Sequence, residues 1–389
     1  EMGELDYGPG EALYFGADAV YAGGKDFSLR SFADNFTRDE LAAAVKYCHE
    51  RGKKLYVTAN IFAKNADMPL LEDYFSFLQS AGADAAIISD SGVVYAAKKA
   101  APKLNIHIST QANLTNKYAV KFWRELGVTR AILARELSIS EISEIRDFVP
   151  DIELEAFVHG AMCISYSGRC LLSNYLAGRE SNRGECVQAC RWKYQIRKNE
   201  GDGAEWLDFE EDGRGAYILN SKDLNMSGHL KELENAGVSS FKIEGRMKSG
   251  YYLATVINAY RRCIDYGYGD TVRSELSTAF HRDYTTAYML GENNGTVNYK
   301  DSQAKGGCDY IGNVSGNEHG FVIVEMRGRF KVGDELEVLS PSQNFGKKFT
   351  VEEVYTSLGE RVTDCKLVQE QYRVKCPFKL QPGDILRRR

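Results

Sequence analysis

Four of the nine cysteines in this chain of 389 residues lie within 28 consecutive positions. They are Cys163, Cys170, Cys186 and Cys190, with the spacing C-x6-C, then fifteen residues, then C-x3-C. Glycines between them allow the tight backbone turns that would bring four sulfurs together. Four convergent thiols indicate a metal, redox chemistry or disulfides.

Disulfides are the least favoured of these interpretations. A chain of this length buries a large core and does not need them for stability, and nothing at its N-terminus resembles a secretory signal. Zinc accepts four thiolates, but zinc sites usually present C-x2-C pairs, and the sequence has none. Iron–sulfur clusters accept looser spacings and therefore fit better. Ordinary buried cysteines are the alternative without chemistry.

The residues around the first two cysteines form a long motif. It reads Glu155-Ala-Phe-Val-His159-Gly160-Ala-Met-Cys163, followed by Ser167-Gly168-Arg169-Cys170-Leu-Leu-Ser173. This motif resembles the signature of the collagenase-like peptidases, unclassified peptidase family thirty-two. The resemblance extends to GADAVYAGG near Gly16, HISTQAN near His107 and FKIEGRMKS near Phe241, so it covers most of the chain.

Despite the family's name, the resemblance implies an oxygen-independent hydroxylase whose four clustered cysteines bind a [4Fe–4S] cluster. The family branch that has a small C-terminal β domain forms 5-hydroxyuridine at the tRNA wobble position with prephenate as co-substrate. The expected partners are tRNA, this small anionic co-substrate and, as a further candidate, a homologous subunit. A cytoplasmic location without a membrane partner is expected.

Two alternative functions stay open. The first is a related hydroxylase of ribosomal RNA or of a quinone precursor, and a quinone hydroxylase would not need the C-terminal β domain. The second is a collagenase-like peptidase, although no H-E-x-x-H or G-x-S-x-G motif occurs. A net charge of -5 offers no global attraction to nucleic acid, so any RNA contact requires a local basic surface.

The elements that must position the cysteines follow a regular alternation of strand-like and amphipathic helical runs. The predicted strands are Asp18–Gly24, Lys54–Ile61, Asp84–Asp90, Asn105–Asn113, Thr129–Arg135, Glu153–His159 and Ser239–Gly245. Helical runs such as Arg38–Arg51, Leu70–Ala81 and Ser140–Phe148 lie between them. With one more strand before Gly16, the pattern predicts an α/β fold, a (β/α)8 TIM-like barrel. A doubly wound sheet is the competing architecture, but no G-x-G-x-x-G motif marks a strand-to-helix turn.

The predicted domains are a barrel over residues 1–269 with an iron–sulfur insertion at 160–227, a connector at 270–304, and a small all-β barrel domain at 305–389. An insertion at this point of a barrel lies on the face where barrel enzymes carry out chemistry. In the last domain we predict strands at Tyr310–Val314, Phe321–Arg327, Asp334–Leu339, Phe349–Val354, Cys365–Gln369 and Asp384–Arg388. Its basic residues Arg327, Arg329, Lys331, Lys347, Lys348 and Arg387, Arg388, Arg389 are candidates for phosphate contact, with a solvated charged surface as the alternative.

Polar residues at the C-terminal ends of the predicted strands would face a common centre. The candidate catalytic residues are Arg30, Asn60, Gln111, Glu155, His159, Lys242, Glu244 and Arg246, and Asp90 and Arg135 are further polar strand-end residues. The basic members suit an anionic ligand, and His159 suits proton transfer to a substrate. The alternative for each residue is a structural hydrogen bond, which we expect for about half of them.

Overall fold

The computed structural model describes residues 9–28, 35–163, 165–183, 185–192, 197–200, 203–206, 221–245, 248–291 and 306–389. These residues form two compact units. The parallel unit comprises the described residues of 18–245 and 281–291, and the C-terminal unit comprises those of 9–17, 248–280 and 306–389. The predicted domain boundary at residue 269 falls inside the middle segment of the C-terminal unit.

The helices are α1 Pro9–Tyr14, α2 Arg38–His49, α3 Met68–Ala81, α4 Ser91–Ala100, α5 Lys117–Glu125, α6 Ile139–Phe148, α7 Leu172–Ala177, α8 Leu230–Asn235, α9 Gly250–Tyr266 and α10 Asp270–Leu276. The strands are β1 Ala19–Gly23, β2 Lys54–Ala59, β3 Ala85–Ile88, β4 Ile106–Ile108, β5 Arg130–Ile132, β6 Glu153–Ala161, β7 Arg197–Glu200, β8 Gly203–Trp206, β9 Asp223–Asn225, β10 Val238–Ile243, β11 Tyr284–Thr285, β12 Asp309–Glu318, β13 Phe321–Met326, β14 Phe330–Lys331, β15 Glu335–Leu339, β16 Lys348–Thr350, β17 Val354–Thr356, β18 Arg361–Val362, β19 Asp364–Cys365, β20 Gln371–Lys375 and β21 Ile385–Arg388. No helix in this part of the chain has both the length and the apolar character that a membrane crossing requires.

The parallel unit is built on a sheet in which β1 to β6 lie side by side in chain order, each parallel to the next. Helices α2 to α6 connect successive strands. Strands β3 and β4 are buried along their whole length, as expected for a parallel sheet covered on both faces. The predicted alternation is confirmed, because each of the seven predicted strands overlaps an observed one.

Strand β6 changes partners along its length. Its residues 154–159 pair in parallel with β10, whereas residues 159–161 pair antiparallel with β9. Strand β9 pairs in parallel with β11. The segment predicted as a connector therefore adds a strand to the sheet, near the end of β6.

Two predicted features fall partly outside the described residues. The extra strand before Gly16 would begin in residues 1–8, which are among those not described, and residues 9–14 form α1. In the predicted iron–sulfur insertion at 160–227, residues 164, 184, 193–196, 201–202 and 207–220 are not described, and the antiparallel pair of β7 and β8 lies between these gaps.

The C-terminal unit contains an antiparallel β half-barrel with the strand order β16-β15-β21-β12-β13-β20-β17-β18. Alternate residues of its strands point inward and form one apolar core. The predicted strand Cys365–Gln369 is wrong. Gln369 has a φ of 69°, so the chain turns there and β20 begins only at Gln371. The predicted strand Phe349–Val354 is divided between β16 and β17.

Arg387 is fully buried in the C-terminal unit, where it holds α10 to the sheet. Its guanidinium donates to Glu275 of α10 (Nη2 to Oε2, 2.7 Å) and to Glu337 of β15 (Nε to Oε1, 3.0 Å). The expectation that Arg387 contacts phosphate is therefore wrong. Its neighbours are also paired, Arg388 with Asp309 and Arg389 with Glu275.

Replacing Arg387 tests this buried cluster. Arg387→Met keeps most of the side-chain volume but leaves the buried carboxylates of Glu275 and Glu337 with only the partly exposed Arg389, so the free energy of unfolding should fall by about 3 kcal/mol. Urea unfolding of the full chain measures it. The matched control is Arg329→Met, which removes the exposed pair with Asp364 and should change little. Equal stability of the Arg387 variant and the wild type would contradict the role given to this arginine.

Candidate active site

The cysteine loop, residues 162–192 after β6, is organised into short helical pieces. Helix α7 is followed by two 3-10 helices, Ser181–Arg183 and Ala189–Arg191, and α7 contacts both. This packing brings the segment that carries Cys170 close to the one that carries Cys190.

A first anchor holds the loop against the ends of β4 and β5. Ser167 donates to the carboxylate of Glu136 through its backbone N–H (3.0 Å) and its hydroxyl (3.3 Å). Thr110 Oγ1 lies 3.4 Å from the Ser167 hydroxyl and donates to the Leu133 carbonyl at 3.0 Å. Since Thr110 follows β4 and Glu136 follows β5, the loop is fixed to two neighbouring strand ends.

Gly168 allows the loop to approach the backbone that follows β4. Its φ is 76°, and a Cβ atom at this position would overlap the carbonyl oxygen of Gln111. A glycine is therefore required both by the conformation and by the space. The candidate residue Gln111 contributes its main chain to this contact.

A second anchor holds the loop against the segment after β2. Arg183 Nη1 donates to Asp67 Oδ2 at 2.8 Å, and the hydrogen bond from Arg183 lowers the pKa of Asp67. The backbone N–H of Phe62 donates to the Asn182 carbonyl at 2.9 Å. Strands β2, β4 and β5 are parallel, so their C-terminal ends share one edge of the sheet. The cysteine loop covers this edge, and the sequence predicts the insertion on the same side of the strands.

The four loop cysteines differ from the other five in their surroundings. Cys163 is exposed and Cys170, Cys186 and Cys190 are half-buried, whereas the five scattered cysteines, Cys48, Cys263, Cys308, Cys365 and Cys376, are buried. None of the nine is in a disulfide. The loop thiols are thus open to a ligand in a way that core cysteines are not.

Two of these thiols interact directly. Cys163 donates a hydrogen bond to the Cys170 sulfur, which lowers the pKa of Cys170 to about 5 and raises that of Cys163. Within the described residues, no group of three or more His, Cys, Asp or Glu side chains is arranged to hold a metal ion. The structure therefore brings one pair of the predicted ligands into contact and places the other two on adjoining short segments.

Glu155 lies beneath this edge in a buried ion cluster. Its carboxylate accepts from Lys242 Nζ (2.7 Å), Arg130 Nη1 (2.9 Å) and the Ser240 hydroxyl (2.9 Å). Burial alone would raise the pKa of Glu155, but the charges of Lys242 and Arg130 lower it to about 2. A carboxylate held in this way does not exchange protons near neutral pH, which favours the structural alternative for Glu155 and Lys242.

Aromatic side chains surround the ion cluster of Glu155, Lys242 and Arg130. Lys242 Nζ lies 4.2 Å from the ring centroid of Tyr21 on β1. The Arg130 guanidinium lies 5.1 Å from the ring centroid of Tyr56, which packs edge-on against His107. Burial and then the charge of Arg130 lower the pKa of His107 to about 3, so this histidine is neutral at neutral pH.

His159 is buried in a group of rings that sequence reasoning missed. Tyr284 of β11 lies 5.4 Å from His159 between ring centroids, and His281 stacks on Tyr284 at 4.0 Å. Asp223 of β9 accepts from the backbone N–H of Arg282 at 3.1 Å, which fixes this segment. Burial and then the charge of Asp223 raise the pKa of Tyr284, so it keeps its proton. The signal in the sequence was the run His-Arg-Asp-Tyr, which is unusually rich in titratable groups for a connector.

Glu244 and Arg135 come together beside His159. Their side chains approach to 3.8 Å, and the backbone N–H of Glu244 donates to the His159 carbonyl at 2.9 Å. The Arg135 guanidinium also lies 3.9 Å from the ring centroid of Phe157. This arrangement places a partly exposed cation close to the start of the cysteine loop.

Two further predicted strand-end residues, Asn60 and Asp90, form hydrogen bonds near the start of α4. The carbonyl of Asn60 accepts from the Ser89 hydroxyl at 3.0 Å. Asp90 caps α4 by accepting from the backbone N–H of Val93 at 3.0 Å. Arg30 and Arg246 lie outside the described residues.

Comparisons with known proteins agree with the motif. The model of Peptidase family U32 matches residues 10–298, and that of the Peptidase family U32 C-terminal domain matches residues 307–387. This chain belongs to peptidase family U32. The family match spans both the cysteine loop and the His-Arg-Asp-Tyr segment.

Three of the relatives whose names state an activity show the range of these names. The chain is 38% identical to tRNA hydroxylation protein P1 of Bacillus subtilis (strain 168), over 97% of this chain and 91% of that protein. It is 33% identical to the 23S rRNA 5-hydroxycytidine C2501 synthase of Escherichia coli (strain K12), over 75% of this chain and 45% of that protein. It is 30% identical to a collagenase of Porphyromonas gingivalis (strain ATCC BAA-308 / W83), over 85% of this chain and 83% of that protein.

Gly168→Ala tests the first anchor. The added Cβ would collide with the Gln111 carbonyl, so the turn must move away and Cys170 should react faster with iodoacetamide in metal-free protein. Peptide mass spectrometry measures the labelling rate. Gly178→Ala is the matched control, because Gly178 is also left-handed (φ 64°) but a Cβ added there would have nothing within 4 Å. The same labelling rate in both variants would contradict the anchor.

His107 should give stability a specific pH dependence. The pKa of a histidine in an unfolded chain is about 6.5, whereas the pKa of His107 in the folded protein is about 3. Between these values the unfolded chain binds the extra proton, so the free energy of unfolding falls as the pH drops. His107→Gln should flatten this dependence between about pH 6.5 and 5 in urea titrations, whereas the exposed control His319→Asn should not. A wild-type slope in the His107 variant would contradict the neutral buried state.

Proposed function

We propose that this protein is an oxygen-independent hydroxylase of tRNA that carries a [4Fe–4S] cluster on the cysteine loop. The observation that carries the proposal is the position of four accessible thiols on a loop fixed over the carboxyl ends of parallel strands. A relative named as a tRNA hydroxylation protein aligns over nearly the whole of both chains. The match to the ribosomal RNA enzyme covers less than half of that enzyme.

The ligands of the cluster would be Cys163, Cys170, Cys186 and Cys190. The donor set fits, because four cysteine thiolates are the usual ligands of such a cluster and these four are the cysteines that remain accessible. The hydrogen bond from Cys163 lowers the pKa of Cys170 and so favours the thiolate form that a metal requires there, whereas Cys163 would lose its proton when the metal binds. When bound, the cluster supplies electron transfer at the edge of the sheet.

We also propose that the parallel sheet closes into the TIM-like barrel. In an open sheet, five strands would lie between β1 and β10, and neighbouring strands are about 4.8 Å apart. The contact between Lys242 of β10 and Tyr21 of β1 supports a sheet that curves back on itself. A closed sheet would turn the carboxyl edge into a mouth that the cysteine loop covers.

Prephenate, a small anion, is the proposed co-substrate. Lys242 and Arg130 are already neutralised by Glu155, so they are poor partners for a second anion. Arg135 is the better described candidate, because it lies at the strand end beside His159 and its carboxylate partner Glu244 is farther away, at 3.8 Å. In this proposal Arg135 binds the anion, and His159 with Tyr284 orients it or holds a proton. A uridine flipped out of a tRNA loop would enter the same space.

Hydroxylation of ribosomal RNA is the second candidate, supported by the relative that acts on 23S rRNA. A quinone precursor ranks lower, because such a substrate gives no role to the C-terminal unit. Peptidase activity ranks last despite the collagenase relative, because the sequence contains neither of the two hydrolase motifs sought.

Loss and restoration of the modified nucleoside test the proposed function. Deleting the gene should remove 5-hydroxyuridine derivatives from digested total tRNA, measured by liquid chromatography and mass spectrometry. The wild-type gene and the control Cys48→Ala should restore them, whereas Cys170→Ala should not, because Cys170, unlike Cys48, lies in the cysteine loop. An unchanged tRNA profile together with an altered ribosomal RNA or quinone profile would contradict tRNA as the substrate.

A further inference from the structure

The C-terminal unit contains an open cavity of about 540 Å³ between two of its loops. The lining residues are Ser342, Gln343, Asn344 and Lys347 from the β15–β16 loop and Phe378, Lys379 and Gln381 from the β20–β21 loop. The volume lies within the range typical of small-ligand sites. None of these residues belongs to the cysteine loop or to the ion cluster around Glu155.

The β15–β16 side of the cavity is held in shape by polar contacts. Asn344 is buried and donates through Nδ2 to the Lys379 carbonyl at 2.8 Å, which joins the two loops. Ser342 Oγ accepts from the backbone N–H of Asn344 at 3.2 Å. The Arg262 guanidinium of α9 stacks 3.8 Å from the ring centroid of Phe345. The cavity is therefore preformed, which lowers the entropy cost of binding a ligand.

The charge of the lining is positive. It includes Lys347 and Lys379 and no acidic residue. Neither lysine forms a salt bridge with a carboxylate in the portion of the chain that is described, and both are exposed. Other basic residues of this unit are neutralised, such as Lys348 by Glu335. Lys347 Nζ donates to the side-chain oxygen of Asn344 at 2.8 Å, which is a neutral partner, so the charge of both lysines is available to a ligand that brings its own negative charge.

The wall of the cavity also offers an aromatic ring. Phe378 is partly buried against the core of the C-terminal unit, and Lys347 Nζ lies 5.1 Å from its ring centroid. Gln343 and Gln381 add exposed amide groups that can donate and accept hydrogen bonds. Paired cations, an aromatic surface and amides are the combination that proteins use to bind single-stranded RNA.

We propose that this cavity binds a single-stranded segment of the tRNA substrate. Lys347 and Lys379 bind backbone phosphates, and a base packs against Phe378. This inference rests on the proposed function for the identity of the RNA. It assigns part of the tRNA affinity to residues that take no part in the chemistry.

The test measures tRNA binding by the full-length protein at several salt concentrations. Lys347→Ala combined with Lys379→Ala should weaken binding about tenfold or more at 0.1 M salt. It should also lower the slope of log affinity against log salt by about 1.4–1.8, the value for two lost phosphate contacts. The matched control combines Lys348→Ala with Lys366→Ala, which removes the same charge from residues paired with Glu335 and Asp364. This control should keep the wild-type slope.

A second variant separates stacking from charge. Phe378→Leu should weaken tRNA binding about fivefold or more while leaving the salt slope unchanged. Melting temperatures of all variants within a few degrees of the wild type show that the fold is retained.

The outcomes distinguish this inference from the proposed function. If the wild type binds tRNA and the Lys347 and Lys379 double variant binds it with the same affinity and slope, the inference is overturned and the hydroxylase proposal stands. If UMP saturates the cavity at micromolar concentration while the double variant binds tRNA normally, the cavity is a mononucleotide site and the inference is also overturned. If the wild type fails to bind tRNA at all, both proposals fail.

Discussion

A buried carboxylate requires compensating charges, and Glu155 imposes this requirement on the parallel unit. Arg130 of β5 and Lys242 of β10 satisfy it from the two strands that flank β6. Because the loss of either partner would leave a buried charge uncompensated, the three strands are held in a fixed arrangement. The cluster holds β6 between β5 and β10 just before the register with β10 shifts, between Phe157 and His159, and β6 begins to pair with β9. The ion cluster therefore sets the direction in which β6 enters the cysteine loop.

The edge above the cluster is completed by parts of the chain that are far apart in sequence. The cysteine loop is fixed by Ser167 at β4 and β5 and by Arg183 beyond β2. The segment around Tyr284 reaches the end of β6 through β9 and β11. Accessible thiols, a buried histidine and a protonated tyrosine are thus supported by ordered backbone, which suits chemistry that needs a fixed geometry.

The sequence predicted the features that depend on short stretches of the chain. The strands of the parallel unit follow from apolar runs of the right length. The partners of Glu155 could not be predicted, because Arg130 and Lys242 lie 25 and 87 residues away in the sequence. Tyr284 was missed because a two-residue strand leaves no periodic signal. Arg387 was misassigned because a run of arginines at a chain end is typical of an exposed surface, whereas its burial depends on two distant glutamates.

In the function that we propose, the cysteine loop holds an iron–sulfur cluster over the carboxyl edge of the sheet. The most direct measurement is anomalous X-ray scattering at the iron edge from crystals of anaerobically purified protein. We expect one strong iron signal within bonding distance of the sulfurs of Cys163, Cys170, Cys186 and Cys190. A signal at the zinc edge instead, or iron bound elsewhere with these four sulfurs unliganded, would contradict it.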